Sequence, residues 1–198
     1  MIEKAAQRIY LYMSRHIEVD EELADVYKYG IEITISSALN ILLVMAISVI
    51  LKSPLSGVCH LCCLFSLRSF CGGYHADSYF KCNSLMVFFF ALSYAASKLL
   101  IYYNLTDIHL MSPLLMLAFL PIYAFAPAKN KYKPLTESRA KTCRAFSIII
   151  FIVLSLIGLY LSYFGILYGH IITVTLIEIS GAVIFEALRK RRRSNEVS

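Results

Sequence analysis

Charged side chains are scarce in this chain: Asp, Glu, Lys and Arg make up 16% of its 198 residues, where a soluble domain carries about 25%. Apolar residues fill 59% of the sequence and give a mean hydropathy of +0.66. They fall in long runs, which excludes an ordinary water-soluble domain. The pattern predicts an all-α integral membrane protein, a single polytopic domain over residues 1–198. No secretory leader is expected either. Residues 1–30 hold Glu3, Glu18, Asp20, Glu21, Glu22 and Asp25, with no apolar stretch before Ile31. A disulfide framework is lacking too. Cys59, Cys62, Cys63, Cys71 and Cys82 crowd one third of the chain and Cys143 lies in a basic loop, so reduced thiols are expected. The net charge of +6 marks membrane topology and not a nucleic-acid surface, because the basic residues cluster beside the spans.

Six transmembrane helices are expected, over residues 31–51, 55–67, 85–103, 111–126, 146–164 and 166–188. The second run is short; it is read as a span completed by its flanks, with a re-entrant segment as the competing reading. The fourth carries Pro113 and Pro121 and is expected to kink. Ahead of the spans, Ile2, Ala6, Ile9, Met13 and Ile17 recur at helical spacing. Such an amphipathic helix either lies on the membrane surface or packs on its own protein. Lys and Arg concentrate in residues 1–30, 68–82, 129–144 and 189–193, and the remaining connections hold only Lys52 and Lys98. That alternation puts both termini in the cytoplasm, with 1–30 as an amphipathic N-terminus and 189–198 as a basic tail.

Between the second and third spans lies the sequence RSFCGGYHADSYFKC, residues 68–82, a reactive polar cluster flanked by membrane helices. In one unbroken helix His75 and Cys82 would sit roughly 10 Å apart along the axis, too far for a base to touch its nucleophile. Gly72 and Gly73 allow the chain to turn sharply. The expectation is therefore that His75 occupies a turn or re-entrant segment and Cys82 stands at the entrance of the next helix. An imidazole beside a thiol can take its proton, hold the thiolate as an ion pair and later protonate a leaving amine. Asp77 is close enough in sequence to orient that imidazole, and backbone N–H groups around Gly72 and Gly73 could stabilise an oxyanion. The competing reading is that His75 caps a helix and Cys82 packs as a small apolar residue.

Other polar residues carry two readings each. Arg68 is either a snorkelling anchor or a bidentate clamp on a substrate carboxylate. Cys59, His60, Cys62 and Cys63 have half the spacing of a metal site, but they lie in an apolar span where cysteine behaves as a small hydrophobe; no metal is assigned. Glu178 falls inside the sixth span, where a carboxylate is a functional candidate or a helix-packing hydrogen bond. Lys129, Lys131 and Lys133 signal topology, or draw in an acidic peptide.

The pattern Arg68-x3-Gly72-Gly73-x-His75-x6-Cys82 resembles the AgrB family, bacterial membrane endopeptidases that process the quorum-sensing peptide precursor AgrD. Ala126-Pro127-Ala128 followed by Lys131-Tyr132-Lys133-Pro134 is similar to the family's segment after its fourth span. Length, span layout and basic loop agree as well. The resemblance implies a cysteine endopeptidase of the bacterial cytoplasmic membrane, with an AgrD-like precursor and the lipid bilayer as partners. It implies Cys82 as nucleophile forming a peptidyl thioester, His75 as base and acid, and a precursor cysteine or serine that closes a thiolactone or lactone. A homodimer is compatible with it, and no cofactor or nucleic acid is called for. The alternative from another class is a small transporter or exporter of a peptide or other solute, motivated by Glu178 and the proline-bearing fourth helix. A weaker one is a metal-binding membrane protein.

Overall fold

Lipid offers no hydrogen bonds to a peptide backbone, so long apolar runs must satisfy their N–H and C=O groups within helices. In the computed structural model the described residues are 2–16, 23–71, 78–105, 107–127 and 136–197. Their regular structure is helical throughout: α1 (Ile2–Ser14), α2 (Ala24–Ile50), α3 (Pro54–Cys71), α4 (Tyr79–Tyr102), α5 (Ile108–Phe125), α6 (Glu137–Tyr163) and α7 (Leu167–Val197). Among the described residues, six helices, α2 to α7, are long and apolar enough to cross a bilayer. The short second run is a full helix of 18 residues. Pro54 opens it at the position where its missing N–H costs nothing, and Ser53 and Ser56 hydroxyls bond there at 2.6 Å.

α2 begins at Ala24, ahead of the apolar run, and this extra length carries α1. Ala6 is fully buried, and the Lys28 ammonium lies 5.1 Å over the Tyr10 ring. α1 therefore packs on its own protein. Ile9, Leu11 and Tyr12 stay exposed, and Ile17 lies outside the described residues.

α7 is the central helix, in contact with α3, α4, α5 and α6. Around it Cys63, Leu67 and Cys71 of α3 pack with Leu115 and Ile122 of α5, Phe151 of α6, and Ile172, Leu176 and Val183 of α7. Elsewhere the interior is made of small and polar residues. α2 buries Ser36, Asn40, Val44 and Ser48, and α4 buries Asn83, Met86, Phe90, Ser93 and Ser97, each series repeating about once per helical turn. Large apolar side chains such as Phe88, Met116 and Leu117 point outward. Lipid tails are as apolar as leucine, so helices associate through close approach and polar contacts. Pro113 and Pro121 both lie inside a continuous α5, and Ser180 of α7 donates a 2.7 Å bond to the Ala118 carbonyl near the second of them.

Candidate functional site

Short connections between antiparallel spans bring the ends of α3 and α5 and the starts of α4 and α6 to one end of the bundle. Three contacts tie them there. Phe70 stacks on Phe146 at 5.2 Å. Arg144 donates to the Tyr123 carbonyl at 2.9 Å and lies 4.9 Å over the Tyr123 ring. Cys71 and Ala126 share one core cluster.

Cys82 is at this end, in the first turn of α4. Ser78 starts the helix in an extended conformation, φ −143 and ψ 148, and its hydroxyl accepts from the Lys81 N–H at 3.3 Å. The Cys82 N–H donates to the Ser78 carbonyl at 3.0 Å. This is ordinary serine capping, and it leaves a half-buried, unbridged thiol at the helix entrance. That is the location expected from the glycine pair and the spacing.

α4 is fixed at the same turns by its neighbours. The Tyr79 hydroxyl donates to Glu32 Oε2 at 2.5 Å, and the Ser36 hydroxyl donates to Asn83 Oδ1 at 2.8 Å. Both partners lie on α2, so Cys82 stands between two residues locked to another helix. On the α3 side, the Arg68 guanidinium reaches Met86 Sδ at 3.4 Å. Met86 follows Cys82 by four residues and shares its face, so Arg68 is brought within about a helical turn of the thiol. Tyr79, Glu32, Ser36 and Asn83 carry no motif in the sequence; only the once-per-turn polar stripe on α4 could have pointed to them.

Gly72, Gly73, His75 and Asp77 lie outside the described residues, as do Lys129, Lys131 and Lys133. The residues that flank both segments, Cys71, Ser78, Pro127 and Thr136, are described, and Cys71 and Ala126 pack in one cluster. The cysteines of α3 diverge: Cys62 is exposed, Cys59 half-buried and Cys63 buried in the core, while His60 bonds across to Thr175 at 2.9 Å. Among the described residues no three His, Cys, Asp or Glu side chains form a cluster of metal-binding shape. Glu178 accepts a 2.6 Å bond from Ser93, far along α4 from Cys82.

None of the curated proteins compared with the chain matches it. No solved structure does so either. One family model matches residues 6–185, well over half of the chain, and its description is accessory gene regulator B.

Proposed function

The chain belongs to the accessory gene regulator B family, membrane proteins that process the precursor of an autoinducing peptide, and we propose that it does so as a cysteine endopeptidase with Cys82 as nucleophile. His75 takes the thiol proton, and the thiolate attacks the scissile carbonyl of an AgrD-like precursor. The tetrahedral intermediate collapses as His75 returns the proton to the departing amine. This releases the C-terminal fragment and leaves the remainder as a thioester on Cys82. A cysteine or serine within the precursor then attacks that thioester, closing a thiolactone or lactone and restoring the thiol. Gly72 and Gly73 supply backbone N–H groups to the oxyanion, and Asp77 orients the imidazole. Three residues of chain, at most about 11 Å, join His75 to Ser78, which keeps the imidazole in reach of the first turn of α4.

The observation that carries this reading is the half-buried Cys82 at a capped helix entrance, with Arg68 in contact with Met86 one turn further along the same helix. Arg68 then serves as the clamp on a precursor carboxylate. Co-expression with the precursor tests it: intact-mass analysis should find a precursor fragment bound to Cys82 alone, and cleavage without any Cys82 adduct would remove the thioester step.

The clustering of Lys and Arg beside the Cys82 end supports a cytoplasmic position for it. An impermeant maleimide added to intact cells should label an Asp107→Cys variant and neither Cys82 nor Cys143, each tested as a single-cysteine protein. Labelling of Cys82 would reverse the orientation. Lys129, Lys131 and Lys133 attract the acidic part of the precursor by charge. Replacing all three by Gln should lower processing at low salt and flatten its salt dependence, because screening then has little left to remove. Identical salt curves for wild type and variant would leave these lysines as topology signals alone.

A further inference from the structure

A second concentration of buried polar chemistry lies away from Cys82, where α3, α4 and α7 meet. His60, Ser93 and Thr175 are at most 1% exposed. His60 Nδ1 is 2.9 Å from Thr175 Oγ1 and 3.4 Å from Ser93 Oγ, Thr175 Oγ1 is 3.2 Å from Ser93 Oγ, and Ser93 Oγ donates to Glu178 Oε2 at 2.6 Å. Because the Ser93 proton is committed to the carboxyl group, the Ser93 oxygen must accept from elsewhere. One arrangement satisfies every member: His60 Nδ1–H donates to Thr175, Thr175 to Ser93 and Ser93 to Glu178. The donors then all point the same way, from imidazole to carboxyl. The outer atom at each end, His60 Nε2 and Glu178 Oε1, is buried with no hydrogen-bond partner among the described residues.

The surroundings are lopsided. Towards the Cys82 end, Val44, Leu61 and Phe90 pack into an apolar plug, and the Phe90 ring meets His60 edge-on at 5.4 Å. Towards the other end, the next turns of α3 and α4 present buried Ser56 and Ser97, and Ser97 bonds the Ser93 carbonyl at 2.6 Å. Among the described residues no ion pair is formed by Glu178 or His60. Other titratable groups on the packed helices include Cys59, Cys62 and Cys63 of α3, Tyr94 and Lys98 of α4, and His170 and Glu186, each eight residues from Glu178 on α7 itself. A net charge in the membrane interior is costly, so an imidazole and a carboxyl group in this setting must neutralise one another.

We propose that His60, Thr175, Ser93 and Glu178 form an intramembrane proton site, a relay holding one exchangeable proton that resides on either the imidazole or the carboxyl group. Transfer breaks the Nδ1–H bond as Thr175 accepts, passes the Thr175 hydroxyl proton to Ser93, and passes the Ser93 proton to Glu178 Oε2. An imidazolium–carboxylate pair becomes a neutral imidazole and a carboxylic acid, and both hydroxyls are restored. The ligand taken up at Nε2 and Oε1 is water or hydronium. Ser93 is reached from His60 both through Thr175, at 3.2 Å, and directly, at 3.4 Å, and it alone bonds the carboxyl group, so removing the Ser93 hydroxyl should interrupt the relay.

The test uses the full chain in lipid nanodiscs, followed across pH by two probes. One is the 15N signal of His60, assigned by its loss in His60→Asn; the other is the carboxylic-acid C=O infrared stretch, assigned by its loss in Glu178→Gln. In wild type both should change together with a single midpoint. Ser93→Ala should split that midpoint in two, while Thr175→Ser, which keeps the hydroxyl, should not. Should Ser93→Ala fail to fold, Ser93→Gly, which also lacks the hydroxyl, replaces it. Two midpoints in wild type, one midpoint surviving in Ser93→Ala, or no change in either signal would each overturn the proposal. Precursor processing need not be measured, so the outcome is independent of the role given to Cys82.

Discussion

Cys82→Ala should abolish precursor cleavage, a loss on the order of 10⁴-fold or more, while precursor still co-purifies with the membrane protein. Cys82→Ser should fail almost as completely, because a hydroxyl is a far weaker nucleophile than a thiolate at neutral pH. His75→Ala should fail differently. With the imidazole gone, Cys82 loses its proton acceptor and should react slowly with iodoacetamide near neutrality. The rate should recover as the pH approaches about 8.5, where an unassisted thiol ionises by itself. The measurement is the pH dependence of Cys82 alkylation in wild type and His75→Ala, with the other five cysteines removed. Superimposable curves would mean that the histidine does not touch the thiol, and the catalytic pair would have to be given up.

The second large effect is on folding. At Gly169 an added Cβ would stand 2.4 Å from the Ser162 nitrogen and 2.7 Å from the Leu161 carbonyl carbon. Both are backbone atoms of α6, so no side chain can rotate away. The adjoining turn is tight as well, with Gly165 at a φ of +67° that favours glycine. Gly169→Val must therefore prise α6 from α7, at a cost of about 3 kcal/mol or more. Gly181→Val is the matched control, because nothing lies within 4 Å of its added Cβ. Thermal unfolding in mild detergent should show a clear drop for the first and almost none for the second; equal melting temperatures would contradict the packing described for this hairpin.

The spans were legible because runs of apolar residues about twenty long admit one solution in lipid. Their ends were less so. Residues 52–54 and 68–71 are polar or mixed and interrupt hydropathy, yet the ladder of α3 runs from Pro54 to Cys71 because polarity alone does not break a helix. The early start of α2 depended on a tertiary contact, the seat of α1, that no local pattern announces. Cys82 at a helix entrance could be read from Gly72, Gly73 and the spacing to His75. Its neighbours could not: Tyr79 and Asn83 find their α2 partners 47 residues away in sequence. His60 shows the limit most plainly. Beside Cys59, Cys62 and Cys63 it looked like part of a metal-ligand run, but its hydrogen-bond partner Thr175 lies 115 residues further on. A serine such as Ser93 in an apolar run carries no pattern until Asn83, Phe90 and Ser97 are seen to share its stripe.

The burial of Ser36, Ser48, Ser93 and Ser97 inside the bundle separates two steps that are one event in a soluble protein. Entry of each segment into the bilayer depends on its total apolarity, whereas docking of one segment on another depends on these small positions. Changing a buried serine to leucine would make its segment enter the bilayer more readily and yet leave it without a seat against its neighbours. Variants of this kind would accumulate in the membrane at normal levels, correctly threaded and unassembled. The sites least tolerant of change are thus those where greater apolarity looks most harmless.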